Sequence, residues 1–442
     1  MRRKIWTVSV LMMALAISAR GEWVTLKNGT SVSSAPKITV VQDDASGTVL
    51  KVELSGFEKT TFTSGDRTYT SIDLMTDAFT TAAGLPEVPC VTGILAVPDN
   101  AALTFEVIEV AGEQTFQDVV LQPARPSWKE GDPELPYVES VTAYQSASAY
   151  PAQYAAVDPP GIFRDFRITR VALYPVRYVA ATKELRVATS LTIRVVYGAG
   201  VVVNPKTTLR KPIAPSYGAL YRSSILNYQN VLDRLYDGME SGRDVMLCIS
   251  PDNYVNSLQP FAQWRNKTGT QVRITKFSEI GATSSNPDII KNYIAQVYHT
   301  WQNPPTYILL VGDNGAVPTK SITYDYTIVS ENYYVEIDGN DYFPEMMIGR
   351  FTHDNEAGEQ VLASKIVNYE KAPYVANTAW FKKGVVVSNN QYESAVATKR
   401  FARERMMLDG GFTSVDTFMN HSPCYSSLND LIGTLNNGRG WL

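Results

Sequence analysis

The sequence predicts a multidomain protein: a β-rich, sandwich-like half, then an α/β half built on a mainly parallel sheet. Three observations predict this. Residues 20–205 carry short Val/Thr/Ile/Tyr runs punctuated by Gly, Pro, Asn and Asp. After Arg243, apolar strand patterns alternate with amphipathic helix patterns. Between them lies a stretch rich in proline and basic residues. The 442 residues suffice for two or three domains, and 44% hydrophobic with 19% charged residues is a globular composition. Forty basic against 44 acidic residues leave a net charge of −4 with no long basic run, which argues against nucleic acid as a partner.

The N-terminus "MRRKIWTVSVLMMALAISARGEW" has a cationic start, an apolar core from Ile5 to Ile17, and small residues at Ser18 and Ala19. This is a secretory signal-peptide pattern over residues 1–19, cleaved after Ala19, and it makes the mature chain secreted or cell-surface. An uncleaved anchor is the alternative, although the run is short for a span, and no later apolar stretch reaches about 18 residues. Export permits disulfides, yet the three cysteines, Cys90, Cys248 and Cys424, are far apart. Cys248 sits in the buried-strand pattern "DVMLCIS" and reads as a small core hydrophobe.

In the β-rich half, "KITVVQ", "TVLKVEL", "ALTFEVIEV" and "SLTIRVVYG" alternate, so each strand turns one face inward and two packed sheets follow. "GLPEVPCV" at 84–91 and "GDPELPYV" at 131–138 echo each other as stiff entries to strands, because each proline fixes its own φ and restrains the preceding residue. Residues 206–242 read as an exposed linker, from "NPKTTLRKPIAPSYG" to a short helix near "NYQNVLDRLYDGM". Arg210 and Lys211 are sites for a trypsin-like protease, or simply solvated linker residues.

The α/β half divides at residue 380. In 243–380, "DVMLCIS", "QVRITKF" and "PTYILLVGD" are strands; "NSLQPFAQWRNKTG" and "NPDIIKNYIAQVYHTWQ" are helices, the first ending at a Gly cap. Sites of such sheets lie beyond the carboxyl ends of the strands, where "LLVGD" delivers Asp313. In 381–442, "KKGVVVSNN" and "TSVDTFM" are strands, with helices through "YESAVATKRFARERMMLDGG" and "SSLNDLIGTLNNG". A further strand is expected to begin at "RGWL".

"VEIDGNDYFPEMMIGRF" places Asp338, Asp341 and Glu345 within eight residues, with no Lys or Arg before Arg350. Carboxylates about 4 Å apart repel by roughly 4 kcal/mol at an effective dielectric of about 20. They therefore splay into water or share a cation, and a loop curling hard oxygens inward suits Ca²⁺. A plain turn is the alternative, since Asp-Gly and Gly-Asn are ordinary turn dipeptides and the spacing is not that of an EF-hand.

"PTYILLVGDNGAVP", "ENYYVEIDGNDYFPEMMIGRF" and "IVNYEKAP", in this order over 243–442, resemble the gingipain family of cysteine peptidases. Upstream, "GDPELPYV" and "ITRVALYPVRYVAATKELRVATSLTIRVVY" resemble that family's β-rich propeptide. The resemblance implies a caspase-like catalytic domain, a propeptide that chaperones folding and covers the cleft, and export to a Gram-negative exterior. It implies a structural calcium held by Asp313, Asp338, Asp341, the Phe343 carbonyl and Glu345, bracing a cleft wall. It also implies cleavage of protein and peptide substrates by a Cys thiolate and a His. The imidazole lowers the thiol pKa and protonates the leaving amine.

In the family the His turn follows a Gly-Arg-Gly-like stretch, here Gly438-Arg439-Gly440, so both dyad members are expected past Leu442 and this chain by itself is expected to be inactive. His421 and Cys424, three residues apart in a loop, do not suit an arrangement on neighbouring strand ends. His299 and His353 read as surface or helix-packing residues, and no His-Glu-x-x-His zinc motif occurs. Asn389 or Asn390 matches the place of an acidic His-orienting residue, or is a polar turn. A secretion-linked transpeptidase of the same fold and a non-catalytic, calcium-stabilised adhesion protein are the other readings.

Overall fold

The computed structural model describes residues 21–26, 34–76, 78–127, 135–237, 239, 241–323, 327–388, 393–419 and 427–441. The signal-peptide segment, Asn389, Asn390, His421 and Cys424 lie outside the described residues. Among the described residues no helix is long and apolar enough to cross a membrane.

The first half is antiparallel, as its alternation predicts. Strand Ser190–Gly198 pairs with Gly47–Glu53 on one side and Ala102–Ala111 on the other. Strand Phe166–Leu173 pairs with Val91–Val97 and with Gly161–Phe163, its hairpin partner. Among the described residues the two sheets expected are instead four, of three or four strands each. Their inward positions meet in one core: Phe57 and Ile72, Leu50 and Val52, Leu95 and Val171, Val176 and Leu185 come from different sheets. Fully burying each such side chain contributes roughly 1.5–3 kcal/mol. Small sheets wrapped round a common core bury the same alternating faces as a two-layer sandwich, so the pattern alone does not distinguish them.

Residues 206–242 are not an exposed linker. Helix Pro215–Ser224 starts on a proline, whose missing N–H costs nothing at a helix start. It and helix Tyr228–Leu235 lay Tyr217, Tyr221 and Tyr228 against Ile168 and the aromatic rings of Phe163 and Phe166. Lys206 is buried, and Lys211 Nζ donates to the carbonyls of Tyr298 and His299 at 2.7 Å each. Of the charged side chains expected to be solvated, Lys211 finds its partners in the second half and Arg210 pairs with Asp99 of the first.

That half has a four-stranded parallel sheet, ordered Gln271–Lys276, Val245–Ser250, Tyr307–Val311, Met347–Phe351. Successive residues face opposite sides. Leu247, Ile249, Ile308 and Leu310 pack with Ile290, Ile294 and Val297 of helix Pro287–Thr300. Cys248, Leu309 and Val311 pack on the other face with Leu258 and Phe261 of helix Val255–Lys267 and Ala363 and Val367 of helix Glu356–Lys371. Cys248 is fully buried, as its strand pattern requires.

Further on, strand Lys383–Ser388 runs parallel to Ser414–Met419 around helix Glu393–Leu408. Val385 N donates to the Trp441 carbonyl at 2.9 Å in a parallel bridge, the strand start expected at "RGWL".

Because the connector's basic side chains are engaged, brief trypsin digestion of the native chain should spare Lys206 and Arg210. Mass spectrometry finding early cuts there would contradict the docked connector.

Candidate functional site

A parallel sheet has two chemically distinct edges, and the residues singled out in the sequence divide between them. At the carboxyl edge, Asp313 follows strand Tyr307–Val311. Its Oδ1 accepts from the amides of Gly315 and Ala316 at 2.9 and 3.0 Å, and its own amide donates to the His353 carbonyl. Arg350 braces this edge, donating from Nη1 to the carbonyls of Gly312, Asp313 and Val317 within 3.0 Å. Its Nε and Nη2 bind the Glu331 carboxylate, so the first cation after the acidic loop does not neutralise that loop. His353 is buried rather than on the surface, set edge-on to Tyr254 with ring centroids 4.7 Å apart. Burial pushes its imidazole pKa down. His299 is exposed, as expected, at the end of its helix.

The acidic loop lies at the other edge. It precedes strand Met347–Phe351, which runs parallel to Tyr307–Val311 with Tyr307 opposite Met347 and Val311 opposite Phe351. Asp313 is level with His353, eight residues beyond Glu345, and thus further from Glu345 than the strand's own length of roughly 16 Å at about 3.3 Å per residue. The structure brings Asp338, Asp341, Phe343 and Glu345 together but not Asp313. The expectation that the loop is tied to the carboxyl end of the neighbouring strand, bracing a cleft wall there, is therefore corrected: a parallel neighbour puts it at the amino end.

Glu345 is fully buried. Its Oε2 accepts from the amides of Ile337 and Asp338 at 2.6 and 3.2 Å, while Oε1 has no hydrogen-bond partner. Burial, reinforced by the charges of Asp338 and Asp341, pushes its carboxyl pKa up to about 8. Gly339, at φ +81°, lets the loop turn under Asn204; a Cβ there would lie 2.6 Å from Asp341 Oδ2.

The other two carboxylates meet donors from the first half. Asp341 Oδ2 accepts from Asn204 Nδ2 at 2.6 Å and from the Ile162 amide at 2.8 Å, while Oδ1 accepts from the Phe343 amide. Asn204 Oδ1 in turn accepts from the Asn340 amide at 3.0 Å. Asp338 Oδ2 accepts from Thr208 Oγ1 at 2.9 Å, with Lys206 Nζ at 4.0 Å; His299 Nε2 stands 3.6 Å from Oδ1. The Phe343 ring tilts against Phe163, and a Cβ on Gly161 would meet it at 2.6 Å.

Beneath the loop, Arg164 enters from the turn between strands Gly161–Phe163 and Phe166–Leu173, at φ +50° and 1% exposed. Its Nη1 donates to the carbonyls of Pro305 and Glu345 at 2.7 Å each, and Nη2 to that of Pro304 at 3.2 Å. Tyr217 packs on the guanidinium 4.6 Å from its ring centre. Burial disfavours the charge, but Asp165 alongside, together with the surrounding Tyr217, Tyr221 and Tyr298, outweighs it and holds the Arg164 pKa above its usual value. Sequence reasoning missed Arg164, Asn204 and Lys206. The available signal was "FRDF", a charged turn without glycine between two aromatic residues.

As a metal centre the arrangement fits at one point: Glu345 Oε1 is a buried hard oxygen without a partner. Elsewhere it does not, since Asp338 and Asp341 are held by the first half and Asp313 caps its own turn. Among the described residues no three His, Cys, Asp or Glu are grouped to hold an ion. Nor do they offer a nucleophile: Cys90 and Cys248 are buried, and burial drives the Cys248 thiol pKa far up.

Glu345 sets a pH dependence. Its folded pKa of about 8 exceeds the usual 4.5, so the fold favours the protonated form. Stability is then full below pH 4.5 and falls as pH rises through about 8. In chelator-containing buffer the melting temperature should drop across this window, and Glu345→Gln should flatten the drop. An unchanged slope in the variant would contradict the assignment.

Comparison with known proteins bears on both halves. The profile of peptidase family C25 matches residues 240–442, and the C25 propeptide profile matches residues 28–231. Gingipain R2 of Porphyromonas gingivalis is 29% identical over 290 residues, 65% of this chain and 38% of that protein. Lys-gingipain of the same organism is 24% identical over 460 residues, 99% of this chain and 26% of its own length. The chain thus spans little more than a third of the gingipain R2 it matches. The complex of Porphyromonas gingivalis RgpB pro- and mature domains overlays 44% of this chain and all of that one, at 21% identity and a TM-score of 0.40, too low to carry weight. The two profiles together cover most of the sequence, and the chain belongs to the gingipain-like cysteine peptidases, with propeptide and catalytic segments joined in one polypeptide.

Proposed function

We propose that this chain is the precursor form of an exported cysteine endopeptidase of gingipain type, acting on proteins and peptides. The observation that carries the reading is that a propeptide segment and a peptidase segment, each matched independently, are packed against each other through a buried arginine. Relatives described as gingipains support it. In this reading the nucleophilic Cys and its His partner lie outside the described residues, with Asn389 or Asn390 as a candidate orienter of the imidazole. The signal-peptide pattern supports export of the mature protein. Covering of the cleft by the propeptide belongs to the reading as well, although the inter-half hydrogen bonds described above fall at the amino edge of the sheet.

A structural calcium belongs to the same reading, with Asp338, Asp341, the Phe343 carbonyl and Glu345 as its candidate ligands. Asp313, more than a strand's length away, is left out of this set.

With its described thiols buried, the 442-residue chain should neither cleave fluorogenic Arg or Lys peptides under reducing conditions nor label with a peptidyl chloromethyl ketone. Labelling at Cys90, Cys248 or Cys424 would overturn the assignment of the nucleophile.

A further inference from the structure

Arg164, Lys206, Arg210 and Lys211 line one cavity of about 120 Å³, with room for several waters or one small polyatomic ion. Its opposite wall belongs to the peptidase half, at Tyr298 and Pro304. Four positive charges there stand against three carboxylates, Asp165, Asp99 and Asp338. Lys211 binds two carbonyls and, among the described residues, no carboxylate. Hydrogen-bond donors are in surplus as well. Arg164 is 1% exposed, and its Nε has no hydrogen-bond partner, with Asp165 Oδ2 at 3.6 Å. Arg210 donates from Nη1 to Asp99, but its Nε is buried without a partner. An ammonium carries three donors. Lys206 uses one of them for Thr208 Oγ1, and Lys211 uses two for the Tyr298 and His299 carbonyls.

From this surplus of positive charge and donors we infer that the cavity binds a small tetrahedral oxyanion of the phosphate or sulfate kind, seated between the first half, the connector and the peptidase half. A buried N–H without an acceptor costs free energy, which the lone pairs of an oxyanion recover. Hydrogen bonds from guanidinium and ammonium groups to such an ion are charge-assisted and strong. A planar carboxylate is matched by the fork of a single guanidinium. Here two arginines and two lysines, on separate stretches of chain, line the same space, which suits an ion with oxygens on all sides. Tyr236 and Tyr298 are buried and wall the cavity, so water screens the attraction less than at an open surface. Arg164 comes from the first half and Tyr298 and Pro304 from the peptidase half, so the complete site exists only while the halves are docked. An ion that binds this state alone stabilises it by mass action. The oxyanion is thus a further fastener of the interface, and its loss favours departure of the first half.

The test uses the full chain in chloride buffer at constant ionic strength, with inorganic phosphate titrated by calorimetry. Wild type should bind a single phosphate saturably, and acetate about tenfold more weakly, the worth of one charge-assisted hydrogen bond. Arg210→Gln and Lys211→Met each remove a charge from the wall and leave Arg164 in its socket. Phosphate affinity should fall about tenfold in both. If either fails to fold, Leu209→Glu takes its place: Leu209 lines the cavity yet is exposed, so the new charge disturbs no packing. It should weaken phosphate about threefold, as befits an exposed charge. Saturating phosphate should slow amide hydrogen exchange in peptides containing Ile162 and Asn340, whose amides donate across the interface. Absence of saturable phosphate binding, or an affinity unchanged in every variant, would overturn the site. Acetate binding as tightly as phosphate would overturn the tetrahedral preference, and unchanged exchange would overturn the link to docking.

Discussion

The contact on which the assembly depends is the buried guanidinium of Arg164. It leaves a hairpin of the β-rich half and ends among the carbonyls of Pro304, Pro305 and Glu345, groups at the amino edge of the parallel sheet that the sheet itself leaves unpaired. A cation with rigid, forked donors suits such a socket better than a lysine would. Charge-assisted hydrogen bonds contribute roughly 1.5–3 kcal/mol each, and a buried donor left without acceptors costs a comparable amount. While the halves are docked, Arg164 therefore has no comparable alternative to its socket, because it would stay buried without acceptors. The tyrosines of the connector helices and the counter-charge of Asp165 complete its surroundings, so the connector is part of the interface rather than a tether.

This contact explains why the acidic loop is where it is. Glu345 offers its carbonyl to Arg164 and its carboxylate to the loop's own amides, so one residue links the interface to the loop. Asp338 and Asp341 then face Lys206, Thr208, Asn204 and Ile162 instead of water. The carboxyl edge, where parallel sheets place their sites, is organised separately by Arg350. The first half thus grips the edge remote from the expected chemistry. Under the proposed function, this grip stabilises the fold without itself occupying the carboxyl edge.

The strands and helices named from the sequence of the α/β half fall on real elements, because their apolar runs and 3.6-residue periods are strong, and Cys248 follows from its strand; strand Met347–Phe351 and helix Glu356–Lys371 were not named. The β-rich half was legible as alternation but not as four sheets, since alternation records which face is buried and not how sheets meet. The acidic loop was visible as a chemical anomaly, yet Asp313 was assigned to it wrongly. The correction was within reach of the sequence. A loop that precedes one parallel strand and a residue that follows its neighbour lie at opposite ends. Arg164, Asn204 and Lys206 were not legible, because an arginine in a turn, an asparagine with φ of +48° and a lysine in a proline-rich stretch ordinarily face solvent. Their burial is a property of the other half's surface, and no local pattern encodes it.

The most direct measurement is calorimetric unfolding of the full chain beside Arg164→Leu. If this guanidinium joins the halves into one cooperative unit, wild type melts in a single transition and the variant in two, the lower belonging to the half that has lost its partner. A variant that still melts in one transition, with wild-type enthalpy and midpoint, would show that the halves are held together by something other than Arg164.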